Sequence, residues 1–209
     1  MWRWAVLAAA VAMAACNGGD DDDDDGGGDP TGDAVLTVDG SNPLHANNFA
    51  AVTQTATCSV EAADVGVAYV ALIASDQGGI CGYLERNEDK AGARSINVVI
   101  LRVDRERATA TIEPDTYPIV PDPTGLESAV SFLWVSSNDA SCNSDDDGAT
   151  GGTVTVTSTS GGRLRGTVSA TLESGATVSG SFDAPSCGVT FPGDVCQGEI
   201  GPQEPTCAP

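Results

Sequence analysis

Histidine is almost missing from this chain: His45 is the single one in 209 residues. Triads and most zinc sites depend on imidazole, so they would all have to pass through His45. That residue sits in the polar stretch SNPLHANN, with no G-x-S-x-G elsewhere, and reads as a surface loop residue. Basic residues are also scarce, 9 Lys+Arg against 30 Asp+Glu, for a formal charge of -21. Phosphate recognition needs clustered cations, so a nucleic-acid partner is excluded. Aromatics make up only 5% of the chain, and any core must rest on small and β-branched side chains. Helical periodicity extends over ten residues nowhere. The longest wholly apolar run, Trp4 to Ala15, spans about 18 Å as a helix, short of a hydrocarbon core of about 30 Å.

What is present starts with an export signal. Arg3 followed by that apolar run reads as a signal peptide over residues 1–15. Its end, Met13-Ala14-Ala15-Cys16, resembles the bacterial lipobox, with Met13 where Leu or Val is usual. The resemblance implies that Cys16 carries lipid and becomes the first mature residue. The rival is plain secretion with cleavage after Ala14 or Ala15. Cysteine parity favours the lipid: of seven Cys, removing Cys16 leaves Cys58, Cys81, Cys142, Cys187, Cys196 and Cys207, an even set suited to three disulfides. Asn17 is not the acidic residue that retains some lipoproteins in the inner membrane, so the outer membrane is the expected destination.

Residues 16–33 read as a disordered tether, because the run Asp20–Asp25 repels itself and its glycine flanks have no structural preference. Eighteen flexible residues reach about 25 Å, further when stretched by charge.

Residues 34–184 read as an all-β domain, an antiparallel β-sandwich or squat barrel stapled by disulfides. Segments 153–157 (TVTVT), 163–172 (RLRGTVSATL) and 177–183 (TVSGSFD) alternate strictly, separated by Ser160-Gly161-Gly162 and Glu173-Ser174-Gly175. Period two broken by turn chemistry predicts a three-stranded meander, with Val154, Val156, Leu164, Val168, Ala170, Leu172, Val178, Phe182 and Ala184 inward. Gly166 and Gly180 fall on the inward register and mark bulges or close packing against another sheet. The runs 67–74 (VAYVALIA) and 95–103 (SINVVILRV) predict central strands covered on both faces. Further strands are predicted at 34–38, 55–61, 80–84, 107–112 and 129–136. The proline-rich segments 113–125 and 185–209 are expected as loop or edge, the latter a Cys/Pro-rich tail. Chain proximity suggests the pairings Cys58–Cys81, Cys142–Cys187 and Cys196–Cys207.

The stretch 151–187, with 114–120 (PDTYPIV) upstream, resembles a group of uncharacterised lipoproteins from GC-rich gliding bacteria. Those chains share the lipobox, a low-complexity linker and strands of the form G-x-L-x-G-x-V-x-A and V-x-G-x-F-x-A-P-x-C. The likeness implies a lipoprotein with a C-terminal glycine-rich β-meander and carries no activity with it.

The remaining chemistry is thin. Asn143 to Gly148 (NSDDDG) has an EF-hand start, but Val154 stands where a bidentate Glu is needed, and the segment reads as an acidic loop. Glu61, Asp104, Glu127 and Asp183 are the acids near predicted strands that a carboxylate glycan hydrolase would need. Arg163 and Arg165 share a strand face, and Arg102, Arg105 and Arg107 cluster; these read as solvated, or as a contact for an anionic polysaccharide. Trp134 is expected inward or at a sheet end. No cofactor and no metal are expected. The expected protein is a non-enzymatic, lipid-anchored envelope module. Its partner is the membrane through its lipid, with a protein or polysaccharide ligand left open. Glycan hydrolysis and protease-inhibitor-like recognition, the latter through an exposed 188–209 loop, are the alternatives.

Overall fold

The computed structural model describes residues 34–60, 63–121, 129–191, 195–197 and 205–208. Signal peptide, Cys16 and acidic tether lie outside them, as do Glu61 and Glu127. The domain is all-β. Its strands are β1 (Leu36–Asp39), β2 (Leu44–Ala46), β3 (Asn48–Val60), β4 (Ala63–Ser75), β5 (Glu88–Lys90), β6 (Arg94–Asp104), β7 (Asp115–Ile119), β8 (Ala129–Asn138), β9 (Ser144–Ser158), β10 (Arg163–Leu172), β11 (Thr177–Pro185) and β12 (Thr206–Ala208). One short helix, α1 (Ile80–Arg86), lies between β4 and β5.

Ten strands form one sheet in the order β2-β1-β11-β10-β9-β7-β8-β6-β4-β3, and β12 pairs with β5 alone. The two edge strands, β2 and β3, are consecutive in the chain and separated only by Asn47. Opposite edges can be joined by one residue only if the sheet curls until they meet. A second contact seals the seam: Cys187 N–H donates to the Ala51 carbonyl at 2.8 Å. The inward residues of all ten strands then form one core, from Leu36 and Val38 through Val70, Leu72, Ile96 and Ile100 to Val168, Val178 and Phe182.

The meander over β9–β11 forms in the expected register, with Leu164 opposite Ala184 and Val168 opposite Val154. Its first turn uses positive φ at both Gly161 (68°) and Gly162 (67°), a conformation that suits two-residue hairpins and favours glycine. Gly166 stands at a register shift in β10, where a Cβ would come within 2.0 Å of the Thr155 carbonyl and 2.5 Å of the Phe182 ring. The bulge reading for that glycine holds, and its close contacts are with the neighbouring strands β9 and β11 of its own sheet, not with another sheet.

β9 is the hinge between the two halves of the sheet. Its first residues pair with β8 as far as Gly148, and its later ones with β7 from Gly152 onward. β7 fills the wedge between them, in register with β8 only at Ile119↔Ser131. Here the expectation of loop or edge for residues 113–125 is corrected: residues 115–119 are a strand. Pro118 is tolerated because β7 is paired along one side for most of its length.

Four further corrections have local causes. Residues 80–84 are helical, not extended: Ile80, Tyr83 and Leu84 are buried at the i, i+3, i+4 spacing of one helix face. Seven residues are too few for that period to stand out in sequence. Residues 107–112 do not form a strand. They cross over Gly66, whose N–H donates to the Arg107 carbonyl at 2.7 Å, and they bury Ala110 and Ile112 without a ladder. The acidic segment from Ser144 to Gly148 is strand, the start of β9, not a loop. Trp134 is on the outward face of β8, in register with Asn97, under a covering layer.

That layer is the unexpected part of the fold. β4 and β6 are buried on both faces, as their apolar runs required. The outer face of β3, β4, β6 and β8 packs Val52, Tyr69, Ile73 and Val99 against Ile80, Tyr83 and Leu84 of α1 and against Cys187 and Phe191 of the C-terminal segment. The segment beyond β11 is therefore a strap over a second core.

Candidate functional site

The strap is held covalently. The disulfides are Cys58–Cys196, Cys81–Cys187 and Cys142–Cys207. All six expected cysteines pair, but none of the three expected pairings occurs. Chain proximity misleads here because the β3–β4 hairpin carries Cys58 away from Cys81, and because Cys187 turns onto the sheet's outer face beside α1. Each observed bond joins one body cysteine to one strap cysteine, across separations of 138, 106 and 65 residues. Loops of that length gain the most from cross-linking in the chain-entropy picture. Such bonds persist only in an oxidising environment, so the folded chain is an exported, non-cytoplasmic protein. Among the described residues no helix is long and apolar enough to cross a membrane.

Polar side chains gather at one end of the sheet's outer face. A cross-strand row runs Asn48–Ser75–Ser95–Ser136–Asp146 on the outer face. Beside it, Asn97 is 2% exposed and donates from Nδ2 to Ser95 Oγ (2.9 Å) and Ser136 Oγ (3.2 Å). Ser136 Oγ donates in turn to Asp146 Oδ1 at 2.6 Å, which connects the buried amide to the exposed β9 carboxylates. Asn97 Oδ1, Trp134 Nε1 and Asn138 Oδ1 are buried without a hydrogen-bond partner. Deeper along the same face, Tyr69 Oη donates to Gln54 Oε1, and Gln54 Nε2 donates to the Phe191 carbonyl of the strap at 3.1 Å. Burial pushes the Tyr69 hydroxyl up to about 12.

The opposite half of the sheet presents a different surface. Exposed Thr153, Thr167, Ser169, Thr171, Thr177 and Ser179 stand in cross-strand rows on β9–β11. At one end of this face Asp183 receives Arg163 Nε at 2.6 Å and lies 3.1 Å from Arg165 Nε. Burial alone would raise the Asp183 carboxyl, but hydrogen bonds from Arg163 and Arg165 and their charge outweigh it, holding it below the usual carboxylate range. Both arginines therefore share one carboxylate, with Arg163 the more buried of the two and Arg165 41% exposed.

The other sequence candidates are scattered. His45 is exposed on β2, opposite Thr37, in a strand and not the expected loop. Asp104 Oδ1 accepts from the Glu106 and Arg107 N–H groups and shapes the turn after β6. Arg102 pairs with Glu113 at 2.8 Å. Asp146 accepts from Ser136 and Ser144, and Asp147 accepts the Ser174 N–H. Among the described residues no three His, Cys, Asp or Glu side chains are grouped to hold a metal ion. The polar row on the outer face was not anticipated. The signal for it was Ser95 and Asn97 breaking an otherwise apolar strand. No family model, curated protein or solved structure matches the chain.

Proposed function

We propose that this chain is a lipid-anchored envelope lipoprotein that works as a structural or binding module and turns over no substrate. The observation that carries the reading is the stapling pattern: every disulfide ties the C-terminal strap to the β body. A domain locked at three points is suited to holding a fixed surface in an exported setting. The lipobox ending at Cys16 and the Asp-rich tether supply the anchor and the spacer, and the outer membrane is the destination. The uncharged hydroxyl rows on β9–β11 are a regular exposed surface that such a module would present.

The hydrolase alternative loses support from the geometry of its acids, since Asp183 is saturated by two arginines and Asp104 by a turn. The inhibitor-like alternative needed an exposed 188–209 loop; Phe191 in it is buried, and Cys196 and Cys207 in it are tied to the β body by disulfides, although Gly188, Thr190, Thr206 and Cys207 are exposed.

Intact-mass analysis of native protein, with envelope fractionation, tests the anchor. The expected result is an acylated chain beginning at Cys16 in the membrane fraction, with six oxidised cysteines, and release of a Cys16→Ala variant. An unacylated native chain overturns it. A glycan-hydrolysis assay tests the rest: activity abolished by Asp183→Asn would overturn the non-enzymatic reading.

A further inference from the structure

The three staples are not equivalent. In two of them one sulfur lies in the core: Cys58 is 6% and Cys187 5% exposed. In the third, Cys207 is exposed and Cys142 half-buried. β12, which carries Cys207, is a three-residue strand whose only ladder is with β5, from Thr206↔Glu88 to Ala208↔Lys90. Two-stranded ribbons of that length have little stability of their own in water. Cys142 holds φ at 58°, a left-handed conformation that costs a non-glycine side chain energy. It is kept there by Asp139, whose Oδ1 accepts the Ser141 and Asn143 N–H groups and whose carbonyl accepts the Cys142 N–H. Behind this corner lie the buried Asp89, in register with Cys207, and Asn138, whose Nδ2 donates to the Lys90 carbonyl. Trp134 and Ala208 both pack against the second core. The unpartnered Asn138 Oδ1 and Trp134 Nε1 disfavour the closed arrangement, because buried polar atoms without partners forfeit their hydration.

We propose that Cys142–Cys207 is a redox latch: a dithiol reductant opens it while the other two bonds remain, β12 leaves β5, and the outer face around Trp134 and Asn138 is uncovered. A thiolate of the reductant attacks the exposed Cys207 sulfur, breaking the S–S bond and expelling Cys142 as a thiolate, which takes a proton from water. The reductant's second thiol then attacks the mixed disulfide and expels Cys207 as a thiol. Two electrons and two protons reach the protein, and the dithiol becomes a disulfide. Oxidation closes the latch again.

The test is graded reduction of the oxidised protein with dithiothreitol, alkylation, and peptide mapping. Cys142 and Cys207 should label at about tenfold less reductant than the other four cysteines, in keeping with the easier exchange of exposed bonds. At that point circular dichroism should keep its β signature. Amide exchange should rise at residues 206–208, and emission from Trp134, the one tryptophan beyond Trp4, should shift to the red. The doubly substituted C142S/C207S variant should show the same red-shifted emission while folded, without reductant. Simultaneous opening of all three bonds overturns the latch, as does opening of Cys142–Cys207 last. A folded C142S/C207S variant whose Trp134 emission matches the oxidised wild type also overturns it.

Discussion

In the half of the sheet made by β1, β2, β9, β10 and β11, strands bury one face and wet the other; in β10, Leu164, Gly166, Val168, Ala170 and Leu172 are buried while Thr167, Ser169 and Thr171 between them are exposed. In the half made by β3, β4, β6 and β8, β4 is buried without a break from Val65 to Ser75. The first half is complete once it meets the common core. The second is not, because its outer face needs α1 and the strap, and the strap is fastened by disulfides. Local alternation is enough to build a half-wet sheet, whereas a doubly covered one depends on segments distant in the chain.

The sharpest way to break this contrast is to unfasten the strap. Replacing Cys187, Cys196 and Cys207 by Ser should remove about 4.5–5 kcal/mol per bond in the chain-entropy account of loops this long. That total rivals a whole domain's stability of about 5–15 kcal/mol. Urea unfolding of the variant should lose its single cooperative transition, and exchange protection should fall first in β4 and β6 and last in β10. Equal loss in both halves would dissolve the distinction.

A second experiment compares outward-facing side chains. Ile73→Ala, at a position 1% exposed beneath the cover, should cost about 3 kcal/mol. Thr167→Ala, on the open face of β10, should stay within about 0.5 kcal/mol. Gly166→Ala tests the inner packing of the wet half. Its new Cβ would press on the Thr155 carbonyl and the Phe182 ring, so a loss of about 3 kcal/mol is expected, near the top of the overpacking range. Denaturation midpoints of the three variants decide the order.

The smallest effects distinguish the halves by pH. Tyr69, in the covered half, ionises at about 12 when folded, above an unfolded value of about 10. Its contribution is fully present below the unfolded value and is lost as pH rises through the folded one. Asp183, in the wet half, is depressed by Arg163 and Arg165 after burial is overcome. Its contribution is present above the ordinary carboxylate value and is lost as pH falls through the folded one. Tyr69→Phe should therefore flatten the alkaline limb of a stability–pH curve, and Asp183→Asn the acid limb. Phenolate absorbance that is lost in Tyr69→Phe should rise at about pH 12.

The legible parts of the fold follow the same division. β10 was bounded correctly at both ends because alternation, flanking glycine turns and a single wet face all agree. β4 and β6 were recognised as doubly covered from composition, without any sign of what covers them. Helix α1 was read as a strand because Ile80 and Leu84 lie in a segment too short to reveal a period. Trp134 was expected inward or at a sheet end, but Asn97 and Ser136 on the same outer face show how a covered surface can be polar and still lie beneath a layer. The candidate site was less legible than the fold, because it is assembled from β4, β6, β8 and β9 and closed by residues more than 50 positions away.

The order of residues by itself determined the β class, the meander, its turns and the parity of the cysteines, since each depends on neighbours within a few positions. Which cysteines meet, which face of β8 lies under cover and what the last residues do were decided only in three dimensions. Those outcomes depend on how a curled sheet brings its edges together, and no local pattern encodes a contact between Cys58 and Cys196 across 138 residues.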